Sequence, residues 1–182
     1  MSLPKYKYLL TYRYAEMIHD LTVEFCRKYI DYRSRTKDQM EQAARSGKQN
    51  IVEGVGQSQT SKKGEIKLLG VAKASFEELL TDFEDFLRQN KLEIWSKTDP
   101  KVLGLKVTAY RLSHLSNLSH LGHLKEKPIL PANPEETANF LLTLCHLETY
   151  LLDKQIKSLE QRFVEEGGYT ENLFKKRLNS RM

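Results

Sequence analysis

Apolar residues recur along most of this chain at steps of three and four positions, the spacing that places them on one face of an α-helix. The pattern predicts a first helix from about residue 8 to residue 30, a second from about residue 36, and a third from about residue 61 to residue 89. Thr36 is the expected N-cap of the second helix, because Gln39 follows at the capping-box spacing. No stretch alternates with period two, so we expect an all-α protein.

A fourth helix is predicted to begin at or just after Pro100, since proline fits the first turn of a helix. It runs into the repeat LSHLSNLSHLGHL, residues 112–124, in which leucine recurs at every third position. A period of three drifts around an α-helix instead of holding one face. The repeat therefore belongs either to a helix that touches several neighbours or to a segment that loosens into irregular structure.

A long fifth helix follows the proline-rich linker KEKPILPANP. Asn133 is its expected N-cap and Pro134 its first residue, and the pair Gly167 and Gly168 predicts its end after Glu166. The first half is apolar over a wide arc, which predicts burial on more than one side, within the chain or between subunits. The basic tail beyond it is predicted to form one more short helix, capped by Thr170.

The stretch NIVEGVGQ, residues 50–57, interrupts the helical pattern with two glycines. It matches neither the P-loop nor the dinucleotide-binding pattern. We expect Gly54 and Gly56 to end the second helix by supplying the left-handed residue of a C-cap. Asn50 and Glu53 lie in a polar stripe beside the apolar one. They are either solvated, or they hydrogen-bond to another helix or subunit and fix its register.

The overall composition suits a folded protein in a reducing compartment. The 182 residues carry 29 basic and 24 acidic side chains, a net charge of +5, which permits but does not demand an anionic partner. Two widely separated cysteines, Cys26 and Cys145, do not make a disulfide framework, so we expect a cytoplasmic protein. No signal peptide and no apolar run of the ~20 residues that a membrane span requires are present, so no membrane association is expected.

Candidate catalytic chemistry is sparse. One Glu-x-x-His pair, Glu16 and His19, lies off the apolar face of the first helix and is expected to be solvated, whereas a di-iron site needs two such pairs. His120 and His123 have metal-ligand spacing, but no carboxylate or cysteine joins them. Cys145 falls on a buried seam and reads as a small hydrophobe. We therefore expect no catalytic residue, no metal, no cofactor and no identifiable small-molecule substrate.

A basic segment between the first and second helices is the strongest candidate for a binding surface. Asp31 is the only acid within it, and tyrosines are interleaved with the basic side chains. Arginines contact phosphates and tyrosines stack on unpaired bases. The residues predicted to bind nucleic acid are Arg27, Lys28, Tyr32, Arg33, Arg35 and Lys37. Further basic residues that extend such a surface are Lys62, Lys63, Lys67, Lys175, Lys176, Arg177 and Arg181.

Two segments resemble a known group of helical proteins. DQMEQAARSGKQNIVEGVGQ and GEIKLLGVAKASFEELLTDF are similar to the four-helix-bundle proteins encoded in intervening sequences of bacterial large-subunit ribosomal RNA genes, and to their relative, the accessory variability protein of diversity-generating retroelements. The matching positions, within roughly residues 5 to 123, are Gln39, Ala43, Ala44, Ser46, Asn50, Ile51, Glu53, Gly54, Gly56, Glu65 and the segment 75–79. Residues 136–177 look like the suffix domain of a longer branch of that family.

The resemblance implies an antiparallel up-down four-helix bundle with an additional long C-terminal helix and a short basic tail. On that basis residues 1–125 form the bundle. Residues 126–182 form a suffix segment, comprising helix 134–166 and the tail, that packs on it. The resemblance also implies a homo-oligomer, commonly a pentameric ring, and in the retroelement relative a basic surface that binds nucleic acid.

Two functions follow as expectations. The first is a non-catalytic, self-assembling scaffold or adaptor. The second is an accessory protein that binds RNA or DNA through the basic segment. Arginines that are usual in the family are replaced here by Glu41, Gln42 and Gln57.

Overall fold

The structure, a computed structural model, describes residues 2–180 and is helical along most of them. The six α-helices are α1 (Leu10–Tyr29), α2 (Arg35–Gln57), α3 (Lys62–Gln89), α4 (Pro100–Ser113), α5 (Pro134–Glu166) and α6 (Tyr169–Asn179). Single turns of 3-10 helix lie at Lys5–Tyr8 and Leu115–Asn117. Between residues 2 and 180 there is no β-strand, only an isolated bridge from Leu118 to Leu124. The all-α prediction is confirmed.

Local caps begin the helices close to the predicted positions. Side-chain oxygens of the N-cap residues accept hydrogen bonds from backbone N–H groups in the first turn, which satisfies donors that the helix itself leaves unpaired. These caps are Ser34, Ser61, Asp99 and Asn133. The cap predicted at Thr36 is wrong, because Ser34 accepts from the Thr36 N–H at 3.2 Å and α2 starts one residue earlier.

Glycine ends α5 as predicted. Gly167 adopts φ 74°, a backbone conformation that favours glycine, and its N–H bonds to the carbonyl of Phe163 at 3.0 Å. The helix α6 then begins at Tyr169 with Gly168 as its N-cap, so the cap predicted at Thr170 is wrong. The carboxylate of Glu171 accepts from the Gly168 N–H at 2.9 Å and replaces a side-chain cap.

Helices α1, α2, α3 and α5 surround one hydrophobic core. Helices α3 and α5 run in opposite directions: Lys62 at the start of α3 pairs with Glu166 at the end of α5, and Lys73 pairs with Asp153 at 3.4 Å. An aromatic cluster closes one end, where Phe25 meets Phe83 with ring centroids 5.1 Å apart. Helix α5 was expected to belong to a suffix segment that packs on the bundle. It contributes instead to the same core as the first three helices.

The fourth predicted helix has a different place. α4 lies outside the four core helices, packs chiefly on α5, and buries Val102, Ala109 and Leu112. Its position departs from the expected bundle of the first four helices, because the first half of α5, in which residues 137–145 are all buried, takes the inner place. The division of the chain near residue 125 stays a prediction.

The leucine repeat loosens into irregular structure after Ser113, the second of the two alternatives. Asn117 holds the resulting loop. Its side-chain amide donates to the carbonyls of Leu112 at 2.7 Å and Glu126 at 2.8 Å, and its side-chain oxygen accepts from the Glu126 N–H at 3.0 Å. A single amide thus supplies hydrogen bonds that a continued helix would have made internally.

The prediction that Gly54 and Gly56 form a C-cap is wrong. Neither has a positive φ, and α2 continues through both to Gln57, followed by Ser58 in the right-handed conformation. The Ser58 hydroxyl donates to the carbonyl of Val55 at 2.7 Å and satisfies one of the last acceptors. Gly54 instead permits close approach to α3, since a Cβ there would lie 3.4 Å from the carbonyl oxygen of Glu65.

Helices α2 and α3 also approach each other closely at Gly47. A Cβ built at this position would lie 2.5 Å from Cζ of the fully buried Phe76 ring, whereas a Cβ at Gly56 would meet nothing within 4 Å. The ring of Phe76 therefore occupies the space that any other residue would need.

We predict that Gly47→Ala lowers the free energy of unfolding by about 1–3 kcal/mol, because the core must shift to admit one methyl group. Gly56→Ala, the matched control in the same helix, is expected to raise it by up to about 1 kcal/mol through helix propensity. Urea unfolding followed by circular dichroism measures both. Equal effects of the two substitutions would contradict the packing described here.

Candidate functional site

The basic segment predicted to bind nucleic acid forms the end of α1, the connecting turn and the first turn of α2. Arg27, Arg33 and Arg35 are exposed, and none of them forms an ion pair within residues 2–180. Tyr32 is 76% exposed at the tip of the turn. The guanidinium of Arg33 lies 5.2 Å from the centre of the Tyr32 ring and donates to its hydroxyl at 2.7 Å.

Acidic neighbours neutralise part of this segment. The Lys28 ammonium lies 2.7 Å from Glu24, one turn earlier in α1, and Lys37 lies 3.1 Å from Glu41. The hydrogen bond to Glu24 raises the pKa of Lys28. The structure therefore brings the six predicted residues to one end of the bundle, but two of the five basic ones are already paired.

The predicted signature residues have separate roles. Asn50 donates to the backbone carbonyl of Ser46 at 2.9 Å, within its own helix. The contact to α3 is made by Ser46, whose hydroxyl accepts from Ser75 at 3.1 Å. Glu53 is exposed and makes no hydrogen bond or ion pair within residues 2–180. The alternative in which Asn50 and Glu53 hydrogen-bond to another helix and fix its register is therefore wrong within the chain.

A buried polar cluster lies where the sequence predicted solvated side chains. Glu16 and Lys7 are both nearly inaccessible, at 5% and 6% exposure, and His19 is half-buried. One carboxylate oxygen of Glu16 lies 3.1 Å from Nδ1 of His123 and 3.7 Å from the Lys7 ammonium. The prediction that Glu16 and His19 are solvated is wrong, because the N-terminal turn and the loop after α4 cover Glu16, and Lys48 of α2 lies 2.8 Å from Nδ1 of His19.

Arg13 is the second buried cation of this region, at 5% exposure. Its guanidinium donates to the backbone carbonyls of Ser113, Lys7 and Tyr8. Burial lowers the pKa of Arg13, and the three carbonyls replace part of its hydration. The side chain therefore joins α1 to the end of α4 and to the N-terminal turn, which gives it a structural role.

Both cysteines are buried and reduced. Burial raises the pKa of Cys26 to about 12 and raises the pKa of Cys145 as well, so neither thiol forms a thiolate nucleophile at neutral pH. The prediction that Cys145 is a core hydrophobe is confirmed. The adjacent His146 has different surroundings from Cys145. It is half-buried beside α4, and its pKa is lowered by burial and by the charges of Lys97 and Lys106.

No sequence pattern identified Glu148 as a candidate functional residue. It is fully buried in α5, and neither of its carboxylate oxygens has a hydrogen-bond partner. Burial raises the pKa of Glu148 well above 4.5, so the group is held protonated. Its titratable neighbours, Tyr14 and Cys145, also have raised pKa values because of burial. A glutamate about four turns into α5, next to an apolar seam, gives no sequence signal of this environment.

A cavity of about 550 Å³ lies between α4, the segment 90–99 and α5. Trp95 forms one wall and is held firmly: its backbone N–H donates to Asn139 at 2.8 Å, and its indole N–H donates to Glu135 at 3.1 Å. The ammonium of Lys101 lies 4.4 Å from the centre of the indole ring. More of the accessible surface inside this cavity is apolar than polar.

Within residues 2–180, no group of three or more histidine, cysteine, aspartate or glutamate side chains is placed to hold a metal ion. His120 lies in the irregular loop and His123 contacts Glu16, so these two histidines have different surroundings. None of the described helices combines the length and the hydropathy that crossing a bilayer requires. Of the basic tail, Lys175, Lys176 and Arg177 are exposed on α6, and Arg181 lies outside the described residues.

Comparisons with family models, with curated proteins and with solved structures gave no match. The resemblance to the intervening-sequence bundle proteins, drawn from the residues alone, stays a prediction.

We predict that Glu148→Gln changes the pH dependence of stability. The folded state keeps the proton of Glu148 above pH 4.5 whereas the unfolded state loses it, so the native protein is destabilised as pH rises by up to about 1.4 kcal/mol per pH unit. Glutamine cannot ionise, so the free energy of unfolding of the variant does not fall with pH for this reason. The stability of Glu148→Gln relative to the native sequence should therefore grow between pH 5 and pH 8.

Urea unfolding at several pH values measures the difference. Glu160→Gln, at an exposed position of the same helix, is the control and should follow the native pH curve. Parallel curves for Glu148→Gln and the native protein would show that Glu148 ionises freely in the folded state.

Proposed function

We propose that this chain is a non-catalytic, cytoplasmic helical-bundle protein that assembles with copies of itself and acts as a scaffold or adaptor. The observation that carries the proposal is apolar surface left outside the bundle on two helices. The first half of α5, which first pointed to assembly, does not supply this surface, since residues 137–145 are all buried within the chain.

The first surface is the outer face of α4, which we call the α4 stripe and define as Leu103, Val107 and Tyr110. These residues follow each other at steps of four and three, so they share one face. They are 50%, 70% and 62% exposed, while the opposite face of the same helix is buried. A helix that is apolar on both sides normally has partners on both sides.

The second surface belongs to α6. Its 11 residues bury no side chain, and its apolar residues Tyr169, Leu173, Phe174 and Leu178 are all exposed. An isolated helix of this length is marginal in water, so contact with another surface would stabilise it. The described part of its own chain offers α6 no buried contact.

One copy of the chain thus has the exposed α4 stripe, which no helix covers, and the exposed helix α6, whose apolar side chains are not buried. A second copy supplies both, through a head-to-tail contact in which α6 of one copy lies on the α4 stripe of the next. Contacts of this kind close into rings when the rotation between copies permits. The geometry is therefore compatible with the pentameric ring that the family resemblance implies.

We predict that the native protein is oligomeric at micromolar concentration and that Leu103→Ser/Val107→Ser makes it monomeric, because the double variant removes most of the α4 stripe. Phe174→Ser/Leu178→Ser should have the same effect through α6. Light scattering measures the mass, and circular dichroism checks that each variant keeps its helices. A monomeric native protein would end the proposal.

Mixing the two variants tests the head-to-tail arrangement. Each variant keeps one intact surface, so the mixture can form one productive contact and should give a dimer that neither variant forms alone. If the mixture stays monomeric while the native protein assembles, each surface instead contacts the same surface on another copy, α4 stripe to α4 stripe or α6 to α6.

A second candidate function, the binding of RNA or DNA, is favoured by the exposed side chain of Tyr32 together with three arginines free of ion pairs within the described residues. A guanidinium beside an exposed aromatic ring provides a stacking surface next to a phosphate contact. The pairing of Lys28 and Lys37 with glutamates leaves a small basic area, so this interaction would be weak and sensitive to salt.

This candidate predicts a gel shift with single-stranded RNA at low salt, weakened by about tenfold or more in Arg33→Glu/Arg35→Glu because phosphate contacts are replaced by repulsion. Lys154→Glu/Lys157→Glu reverses the same charge at exposed positions of α5 and is the control for non-specific attraction. Equal loss in both variants, or no shift with any single- or double-stranded nucleic acid, would argue against a site at the turn.

A further inference from the structure

The cavity beside Trp95 has the size and lining of a small-molecule site. Its volume of about 550 Å³ lies within the range of roughly 300–1,000 Å³ found for ligand pockets. The floor is apolar and consists of Val102, Leu142 and Leu147, while Trp95 and Tyr150 contribute flat aromatic surfaces. The indole cannot swing away to fill the space, because Glu135 and Asn139 hold it.

The rim of this cavity is positively charged. Lys97 and Lys106 line it, and neither forms an ion pair within residues 2–180. Within the described residues the Lys106 ammonium makes one hydrogen bond, a long one of 3.4 Å to the backbone carbonyl of Lys97. Glu84 is the single carboxylate in the lining, so the two ammonium groups exceed the acidic charge.

His146 adds a polar group that is available to a ligand. It lies in the lining between the aromatic residues and the lysines, and its ring makes no hydrogen bond within the described part of the chain. The charges of the same two lysines and burial lower its pKa, which favours the neutral imidazole. A neutral ring can donate one hydrogen bond and accept another.

Charge and shape together restrict the occupant. A cation would be repelled by the lysines, and a strongly hydrated inorganic anion would gain nothing from the apolar floor. We propose that this cavity binds a small organic anion whose flat apolar body lies between Trp95 and Tyr150 and whose carboxylate, sulfonate or phosphate group contacts Lys97 and Lys106. The site is independent of the α4 stripe, which lies on the outer face of α4.

The single tryptophan of the chain makes the site directly observable, because Trp95 lines it. The probe is 8-anilinonaphthalene-1-sulfonate, an aromatic anion that accepts energy from an excited indole. We expect saturable binding with quenching of Trp95 and sensitised emission of the dye. In Lys97→Glu/Lys106→Glu the affinity should fall by about tenfold or more, since two attractive charges become repulsive.

Two controls separate the site from general attraction. Lys63→Glu/Lys67→Glu makes the same change in net charge at exposed lysines of α3 and should leave the dissociation constant within about twofold. N-phenyl-1-naphthylamine carries similar rings without the sulfonate. It should bind more weakly than the sulfonate, and its binding should be insensitive to reversal of Lys97 and Lys106.

Three results would overturn the proposal. One is equal affinity of the sulfonate for the native protein and for Lys97→Glu/Lys106→Glu. Another is binding without any change in Trp95 fluorescence. The third is loss of binding in Leu103→Ser/Val107→Ser, which would place the dye on the α4 stripe, where a second copy is expected. Retained binding in that variant supports the cavity whatever its oligomeric state.

Discussion

The first half of α5 imposes the constraint on which the arrangement of this protein depends. Nine consecutive residues, 137–145, are buried, and nine residues take an α-helix through more than two full turns, so this segment is covered on every side. The bundle helices α1 and α3 can cover only its inner side. Its outer side needs α4 and the segment 90–99, which explains why a short fourth helix lies outside the bundle.

The same constraint places both candidate surfaces. A short helix laid against α5 has an outer face that nothing in the chain covers, and in α4 this face is apolar. Where α4 and segment 90–99 meet α5 they do not close fully, and the gap is the cavity beside Trp95. The surface for assembly and the site for a small anion thus arise from one feature of the fold, on adjacent sides of α4.

Buried ionisable side chains are accommodated in two ways in this bundle. Lys7 and Glu16 pair opposite charges, which limits the cost of removing them from water, and His123 lies within hydrogen-bond distance of the same carboxylate. Glu148 has no such partner and responds by keeping its proton. The first arrangement fastens the N-terminal turn and the loop after α4 to α1. The second makes the stability of the core depend on pH.

The sequence by itself determined the helices, because the signals that start and stop a helix are local. Asn133, Pro134 and Gly167 set α5 at Pro134–Glu166, as predicted, through contacts within a few residues. Tertiary structure alone decided which helix entered the core and which polar groups were buried. Glu16 meets Lys7 and His123, the latter 107 residues away, and no periodic pattern records such a contact. Gly54 likewise read as a helix end, whereas the approach of α3 gives it its role. Hydrogen bonds along one helix act between neighbours in sequence, but burial depends on what the rest of the chain brings alongside.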